Sequence, residues 1–255
     1  MASFVIHTAS AEQMLKGLKL NDEEKALFYA GNLLPDTSFQ EKNKELPEEE
    51  RRKLIQKEKI VSHFRKELEA PFQHPDLDFF LSKYKEQAKV DPLIFGIFYH
   101  LYIDCLFYRD FVPAHVQILD ENKEPTNIRS KIKYYIVNKI NRLEDSNEFF
   151  SYKGKTSIYS EYNRLNSYIL GKYNICEDIN KYINILDNYE MKSNIPEINI
   201  NEAHDILCVL KMIINRDRNN EKELLIFNEE EVINFIEESA TNFINTYKDI
   251  YESYK

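Results

Sequence analysis

The 255-residue chain has few of the residues that interrupt helices: only five are glycine and eight are proline. Both residue types destabilise helix interiors, and turns depend on them. Their scarcity favours long helices over many short strands. We therefore expect an all-α fold in which many helices form a single domain over residues 1–255. A core of about residues 1–115 would be joined to a helical C-terminal part of about residues 126–255.

The chain also has fewer basic than acidic residues. Its 34 Lys and Arg against 43 Asp and Glu give a formal net charge of −9. Nucleic acids and anionic membranes reward a basic face, so neither is expected as a partner, whereas a small phosphorylated substrate bound through a metal is compatible. No 18 apolar residues run together, and the first 15 residues lack the pattern of a secretory signal, so we expect no stable membrane insertion. Three widely spaced cysteines match no zinc ribbon, as expected of a reduced, cytoplasmic protein.

Apolar residues at helical spacing predict a series of helices. The first is predicted to be capped by Ser10 and to end near Lys19, with His7 just before it or in its first turn. The second opens at Asp22 and stops before Pro35. One extended segment, VQIL, is expected in the irregular stretch FVPAHVQILDENKEPTN. Further helices are expected within 40–69 and at 77–88, 92–107 and about 127–143, 156–171, 175–190, 201–217 and 229–253.

The segment LIFGIFYHLYIDCLF, residues 93–107, is apolar nearly all round and predicts a buried central helix. Gly96, His100 and Asp104 are four apart, so they lie on one face, and Tyr108 extends that line. The glycine leaves room for a neighbouring chain or an ion. A buried carboxylate must be paired or coordinated, so Asp104 either hydrogen-bonds His100 alone or binds a metal with it.

Other ionisable residues beside apolar stretches favour the metal. His7 and His63 border such stretches, and Asp36 follows an apolar helix end and a proline in AGNLLPDTS. Taken singly, the aspartate is typical of a turn and His63 of a core edge. Together with His100 and Asp104 they make three imidazoles and two carboxylates, a mixture that suits zinc and also manganese or iron.

The order of these motifs resembles that of a known family. An IHTASA start, GNLLPD, SHF and GxxxHxxxD follow one another within about the first 115 residues. This order resembles the zinc-dependent phospholipase C family, in particular an intracellular bacterial branch of it. The resemblance implies a phospholipase C-like helical fold and hydrolysis of a phosphoester or phosphodiester. It also implies that Asp36, His63, His100 and Asp104 bind one ion, that His7 binds a second ion sharing Asp104, and that Asp36 orients the attacking water.

The chain departs from the family after the helical aspartate. Secreted members use the amino group of a processed N-terminus as a ligand, and after the helical aspartate they carry a nearby histidine and then a histidine and a glutamate four apart. The N-terminus of this chain has no processing signal, and no histidine and glutamate four apart follow Asp104. One or two ions are therefore expected. His115 is a further candidate ligand, and His204 is another, for which a structural role is favoured. Tyr108 and Arg109 could meet a leaving oxygen, although a surface pair of Arg109 with Asp110 is the simpler expectation.

Two other functions compete with the metal-dependent phosphoester hydrolase. Nucleotide phosphohydrolases of the HD type use an adjacent His-Asp pair, and this chain has one at His204 and Asp205. The protein could instead be non-enzymatic, with a structural or vestigial metal site. In that case the charged run 40–59 would be either an interaction helix or a solvated face.

Overall fold

A computed structural model describes residues 2–39, 46–151, 154–218 and 222–255. The fold is mainly helical, as predicted, with one small antiparallel sheet. A π-helix, Phe107–Phe111, follows the fifth helix directly, and a 3-10 helix, Leu34–Phe39, follows the second. The α-helices are α1 Phe4–Leu15, α2 Asp22–Gly31, α3 Glu48–Ser62, α4 Leu77–Ala88, α5 Pro92–Leu106, α6 Val112–His115, α7 Ser146–Phe149, α8 Ile158–Lys172, α9 Ile179–Leu186, α10 Ala203–Asp217, α11 Glu229–Thr246 and α12 Lys248–Tyr251.

The start of α1 differs from the prediction. Ser3 caps the helix by accepting a hydrogen bond from the N–H of Ile6, so His7 lies in the first turns rather than ahead of them. Ser10, predicted as the cap, lies inside the helix, where its buried hydroxyl pairs with the hydroxyl of Tyr99 at 2.7 Å. The predicted cap is therefore wrong, because the helix begins earlier, at Phe4, and the Ser10 hydroxyl makes tertiary contacts with Tyr99 and Ser239.

The starts of α2 and α5 follow their local sequence. Asn21 accepts from the backbone N–H of Glu24, whose carboxylate accepts from the N–H of Asn21, a reciprocal pair known as a capping box. Asp91 caps α5, and Pro92 occupies its first turn, where a missing N–H costs nothing. Both helices begin at the predicted residues.

The three-stranded sheet is the departure from an all-α fold. Its strands β1 Val116–Leu119, β2 Tyr134–Val137 and β3 Arg142–Asp145 pair in sequence order. The extended segment VQIL is confirmed as β1, but the predicted helix over 127–143 is wrong. YYIV consists of aromatic and β-branched residues, and buried positions alternate with partly exposed ones along it. These residues favour a half-buried strand over the predicted helix.

The central helix α5 is buried as predicted, with every side chain from Leu93 to Cys105 inside. It packs against α2 at a close crossing, where a Cβ added to Gly96 would lie only 2.1 Å from the carbonyl oxygen of Phe28. Buried residues of the first 115 positions and of the C-terminal part share one hydrophobic cluster. Among the described residues, no helix is both long and apolar enough to cross a membrane. Residues 40–45 of the predicted charged stretch lie outside the described residues.

Candidate metal centre

The structure brings together five side chains from four segments, here called the His/Asp cluster. His7 comes from α1, Asp36 from the 3-10 helix after α2, His63 from the C-cap of α3, and His100 and Asp104 from α5. Asp36 is 2% exposed and the other four are fully buried. These are the five residues that the sequence singled out as ligands, although their role as ligands stays a prediction.

Two groups of three ligand atoms, from His7, Asp36 and His100 and from His63, His100 and Asp104, lie close enough to hold an ion, with the atoms of each group within 4.8 Å of one another. His63 Nε2 lies 3.1 Å from Asp36 Oδ1, 3.5 Å from Asp104 Oδ2 and 3.4 Å from His100 Nε2. His100 Nε2 lies 3.9 Å from both of those carboxylate oxygens. A tetrahedral zinc with bonds of about 2.0–2.1 Å separates its ligand atoms by about 3.4 Å. The separations around His63 Nε2 and His100 Nε2 are therefore close to those that one ion would require.

His7 lies on the other side of the Asp104 carboxylate. Its Nε2 is 3.3 Å from Asp104 Oδ1, which also accepts the backbone N–H of Ala2 at 2.7 Å. The His7 ring stacks on His100, with ring centroids 4.0 Å apart. Within the described residues the Nδ1 atom of His7 has no hydrogen-bond partner, an arrangement that costs free energy in a buried site. Because its two oxygens face different imidazoles, Asp104 has the geometry of a bridging carboxylate.

The hydrogen bonds behind the cluster decide which imidazole nitrogens carry protons. His100 Nδ1 donates to the carbonyl oxygen of Asn32 at 2.9 Å. The Ser62 hydroxyl donates to the carbonyl oxygen of Pro35 at 3.0 Å, so at 2.9 Å it accepts from His63 Nδ1. A neutral imidazole has one N–H, so both Nε2 atoms present lone pairs to the cluster.

The two imidazoles are held neutral by their surroundings. Burial lowers the pKa of His63 well below its usual value and that of His100 to about 3. The unprotonated Nε2 atoms of His63 and His100 then face carboxylate oxygens. Both kinds of atom are hydrogen-bond acceptors, and no proton lies between them. Such an arrangement is repulsive by itself, and a bound cation would turn each contact into an attraction. The donor set could therefore hold a metal ion.

The close crossing of α2 and α5 makes the Asn32 contact possible. Gly31 and Gly96 allow backbone to touch backbone, since a Cβ on Gly31 would lie 2.1 Å from the carbonyl oxygen of Leu93. Asn32 follows immediately, and its side chain donates to the carbonyl oxygen of His7 at 3.0 Å. This residue therefore ties α1 to α5 at the cluster. Nothing in the sequence marks Asn32 for this role, although Gly96 was expected to leave room for a neighbouring chain or an ion.

A tight C-terminal turn positions His63 at the end of α3. Phe64 adopts a left-handed backbone conformation, with φ 51°. Two backbone hydrogen bonds close the turn, from the N–H of Phe64 to the carbonyl oxygen of Val61 and from the N–H of Arg65 to that of Ile60. Glycine is the usual residue here, because a side chain in this region costs about 1–2 kcal/mol. The Phe64 ring is buried against aromatic neighbours, which offsets that cost.

Two cations and a tyrosine stand beside the cluster and were not predicted in this combination. Burial lowers the pKa of Lys59 to about 8, against the opposing pull of Asp36 and Asp104. Burial also lowers the pKa of Arg65, which interacts electrostatically with both carboxylates and with Tyr108. Lys59 precedes His63 by four residues on α3, a spacing that was visible in the sequence.

The remaining candidates next to the central helix are placed elsewhere. Both ring nitrogens of His115 are hydrogen-bonded outside the cluster, Nε2 to Glu231 Oε2 at 2.8 Å and Nδ1 to the carbonyl oxygen of Phe111 at 2.7 Å. Arg109 pairs with Asp110 at 2.7 Å on the surface, as the simpler expectation had it. The structure therefore does not bring either residue to the cluster. Tyr108 does lie beside it, with its hydroxyl 2.8 Å from that of Tyr162.

The adjacent His-Asp pair also lies apart from the cluster. His204 Nδ1 is 3.0 Å from Asp205 on the first turn of α10, and both side chains are solvent-accessible. The alternative of a private hydrogen bond between His100 and Asp104 does not hold either, because their closest atoms are 3.9 Å apart. No protein-family model, curated protein or solved structure matches the chain.

Proposed function

We propose that the protein is a metal-dependent hydrolase, with zinc as the expected ion, that acts on a small phosphoester or phosphodiester as phospholipase C-like enzymes do. One observation carries the proposal: five buried acceptor groups converge, and the hydrogen bonds behind two of them turn lone pairs inward. Three imidazoles with two carboxylates suit zinc best, and manganese or iron would also fit. One or two ions are consistent with the two faces of Asp104.

The chemistry follows from this donor set. A divalent ion held here would supply a nucleophilic water at neutral pH and polarise a phosphoryl oxygen. Asp36 Oδ1 faces His63, whereas Asp36 Oδ2 is buried and has no hydrogen-bond partner in the described part of the chain. We assign to Oδ2 the role of accepting a hydrogen bond from the attacking water and orienting it. The surrounding burial excludes bulk water and strengthens these interactions.

A structural metal site is the second candidate, because the cluster is almost completely buried. Four protein ligands around one ion, with no open position, are typical of structural zinc. The HD-type alternative has less support, since its adjacent His-Asp pair is solvent-accessible and outside the cluster.

Elemental analysis of tag-free protein tests the proposal. Wild type should contain one to two equivalents of metal, His100→Ala should lose them, and His204→Ala should keep them as the matched control at a surface histidine. The three proteins are then compared on phosphomonoesters, phosphodiesters and nucleotides, and turnover should disappear only in His100→Ala. Full metal content in His100→Ala, or no uptake by wild type even after reconstitution, would overturn the assignment.

A further inference from the structure

Two cations at the end of α3 lie beside the His/Asp cluster of a chain whose net charge is −9. Lys59 is one helical turn before His63, and Arg65 is two residues after it. Each of the two cations interacts electrostatically with both Asp36 and Asp104. The two cations therefore lie next to the site to which the proposed reaction would bring a negatively charged substrate, where they offset the charge of the two carboxylates.

The Arg65 guanidinium has donor capacity that the described protein does not use. Its Nε is buried and has no hydrogen-bond partner among the described residues. A buried donor without an acceptor costs free energy, and this cost is recovered when a ligand provides the acceptor. The planar fork of a guanidinium matches the oxygens of a phosphoryl group in a bidentate manner.

We infer that Arg65 and Lys59 form an anion subsite beside the His/Asp cluster, and that it binds the terminal phosphoryl group of a phosphate monoester. The inference rests on the proposed function and names its substrate class. A monoester carries nearly two negative charges at neutral pH, whereas a diester carries one. Two cations in addition to a bound metal favour the group with the larger charge. Tyr108, which interacts with both Arg65 and Asp104, adds a polar wall to the subsite.

Calorimetry on zinc-loaded protein, with no excess metal in solution, tests the subsite. The probes are inorganic phosphate, which has the charge of a monoester, and dimethyl phosphate, which has that of a diester. We expect wild type to bind phosphate at least about tenfold more tightly than dimethyl phosphate. Arg65→Gln should weaken phosphate binding about 10- to 100-fold, the loss expected for charge-assisted hydrogen bonds, while metal content stays unchanged.

Two further variants control for charge and for general effects of the substitution. Arg65→Lys keeps the positive charge but lacks the two parallel N–H donors of the guanidinium. Its affinity for phosphate should therefore fall between those of wild type and Arg65→Gln. Arg142→Gln makes the same substitution at an exposed arginine of β3 that pairs with Glu144, and it should bind phosphate as wild type does.

The possible results separate the inference from the function on which it rests. Normal metal content with unchanged phosphate affinity in Arg65→Gln overturns the subsite alone, and equal affinity of wild type for the two probes overturns the monoester assignment. If Arg65→Gln also loses metal, the phosphate affinity of Arg65→Lys is the deciding measurement. An affinity of Arg65→Lys equal to that of wild type rejects the bidentate role of Arg65. Wild-type protein that takes up no metal overturns the proposed function and the inference together.

Discussion

Replacing Gly96 by alanine tests how the helices position the His/Asp cluster. A Cβ at this position would lie 2.1 Å from the carbonyl oxygen of Phe28 and 2.8 Å from the amide nitrogen of Asn32, both backbone atoms at the end of α2. Ordinary contacts of a Cβ begin at 3.4 Å. Because backbone atoms cannot rotate aside as a flexible side chain can, α2 and α5 would have to separate by more than an ångström.

The magnitude follows from two opposing effects. Overpacking of a well-packed interior costs about 1–3 kcal/mol of unfolding free energy and occasionally more, whereas alanine gains about 1 kcal/mol over glycine in a helix. Since the obstacle is backbone, we expect a net loss of about 2 kcal/mol. The separation would also lengthen the bond from His100 Nδ1 to the Asn32 carbonyl, now 2.9 Å. Losing such an outer-shell partner lowers metal affinity about 10- to 100-fold.

Urea unfolding followed by circular dichroism measures the first effect, and zinc competition with a chromophoric chelator measures the second. The matched control is Gly171→Ala in α8, where an added Cβ meets no atom within 4 Å. Helix propensity alone predicts that this control is unchanged or stabilised by up to about 1 kcal/mol. Gly96→Ala with wild-type stability and wild-type zinc affinity would refute the close-crossing argument, as would an equal loss in the control.

Two more predictions concern the imidazoles. Metal-free protein should become less stable as the pH falls, because the pKa of His100 is about 3 in the folded state and about 6.5 in the unfolded state. Below about pH 6.5 the unfolded state binds a proton that the folded state does not, a loss of about 2 kcal/mol from this group between pH 7 and pH 5. Urea titrations at both pH values check it, and an equal pH slope in His100→Gln would contradict the assignment. Ser62→Ala removes the acceptor for His63 Nδ1 and should weaken zinc binding about tenfold or more, so unchanged zinc affinity in the competition assay would rule out the proposed tautomer.

The candidate ligands could be found from the sequence because their residue types are costly to bury without a purpose. His100 and Asp104 stand on one face of a helix that is otherwise apolar, so they require partners. His7, Asp36 and His63 are ionisable residues beside apolar stretches. Spacing within one helix is readable directly, whereas the meeting of four segments depends on tertiary packing.

What the sequence could not show is the backbone that completes the site. His100 is oriented by the carbonyl oxygen of Asn32, and Ser62 is oriented by that of Pro35. Every residue has a carbonyl oxygen, so no residue type marks these two. The position of Arg65 likewise depends on the left-handed turn at Phe64, where the sequence has an aromatic residue instead of the usual glycine.

The positions of helices could be predicted where the local sequence alone determines them. Strands could be predicted less well, because they depend on pairing between distant segments. The helical period of α2, α4 and α5 gave their starts. The prediction was wrong at strand β2, because a run of four residues is too short to distinguish the two-residue period of a strand from one face of a helix. The strand is stabilised by pairing with β1 and β3. Local periodicity contains no information on such partners.

The number of bound ions decides between a structural and a catalytic site. Asp36, His63, His100 and one oxygen of Asp104 would complete a tetrahedral ion and leave no position for substrate. Among the described residues, a second ion at His7 would have to share Asp104 with the first ion, or Asp36 and His100, and so would keep open positions.

The proposed catalysis would therefore require a second ion. We predict that phosphoester turnover appears only as the second equivalent of zinc is added to metal-free protein. His7→Ala should retain about one equivalent and its fold, as judged by circular dichroism, but lose turnover. His204→Ala, at the surface, should keep both equivalents and full activity. Full turnover at one equivalent, or an active His7→Ala, would mean that the four-ligand ion has an open position, and that the ligand spacing described here relaxes when metal binds.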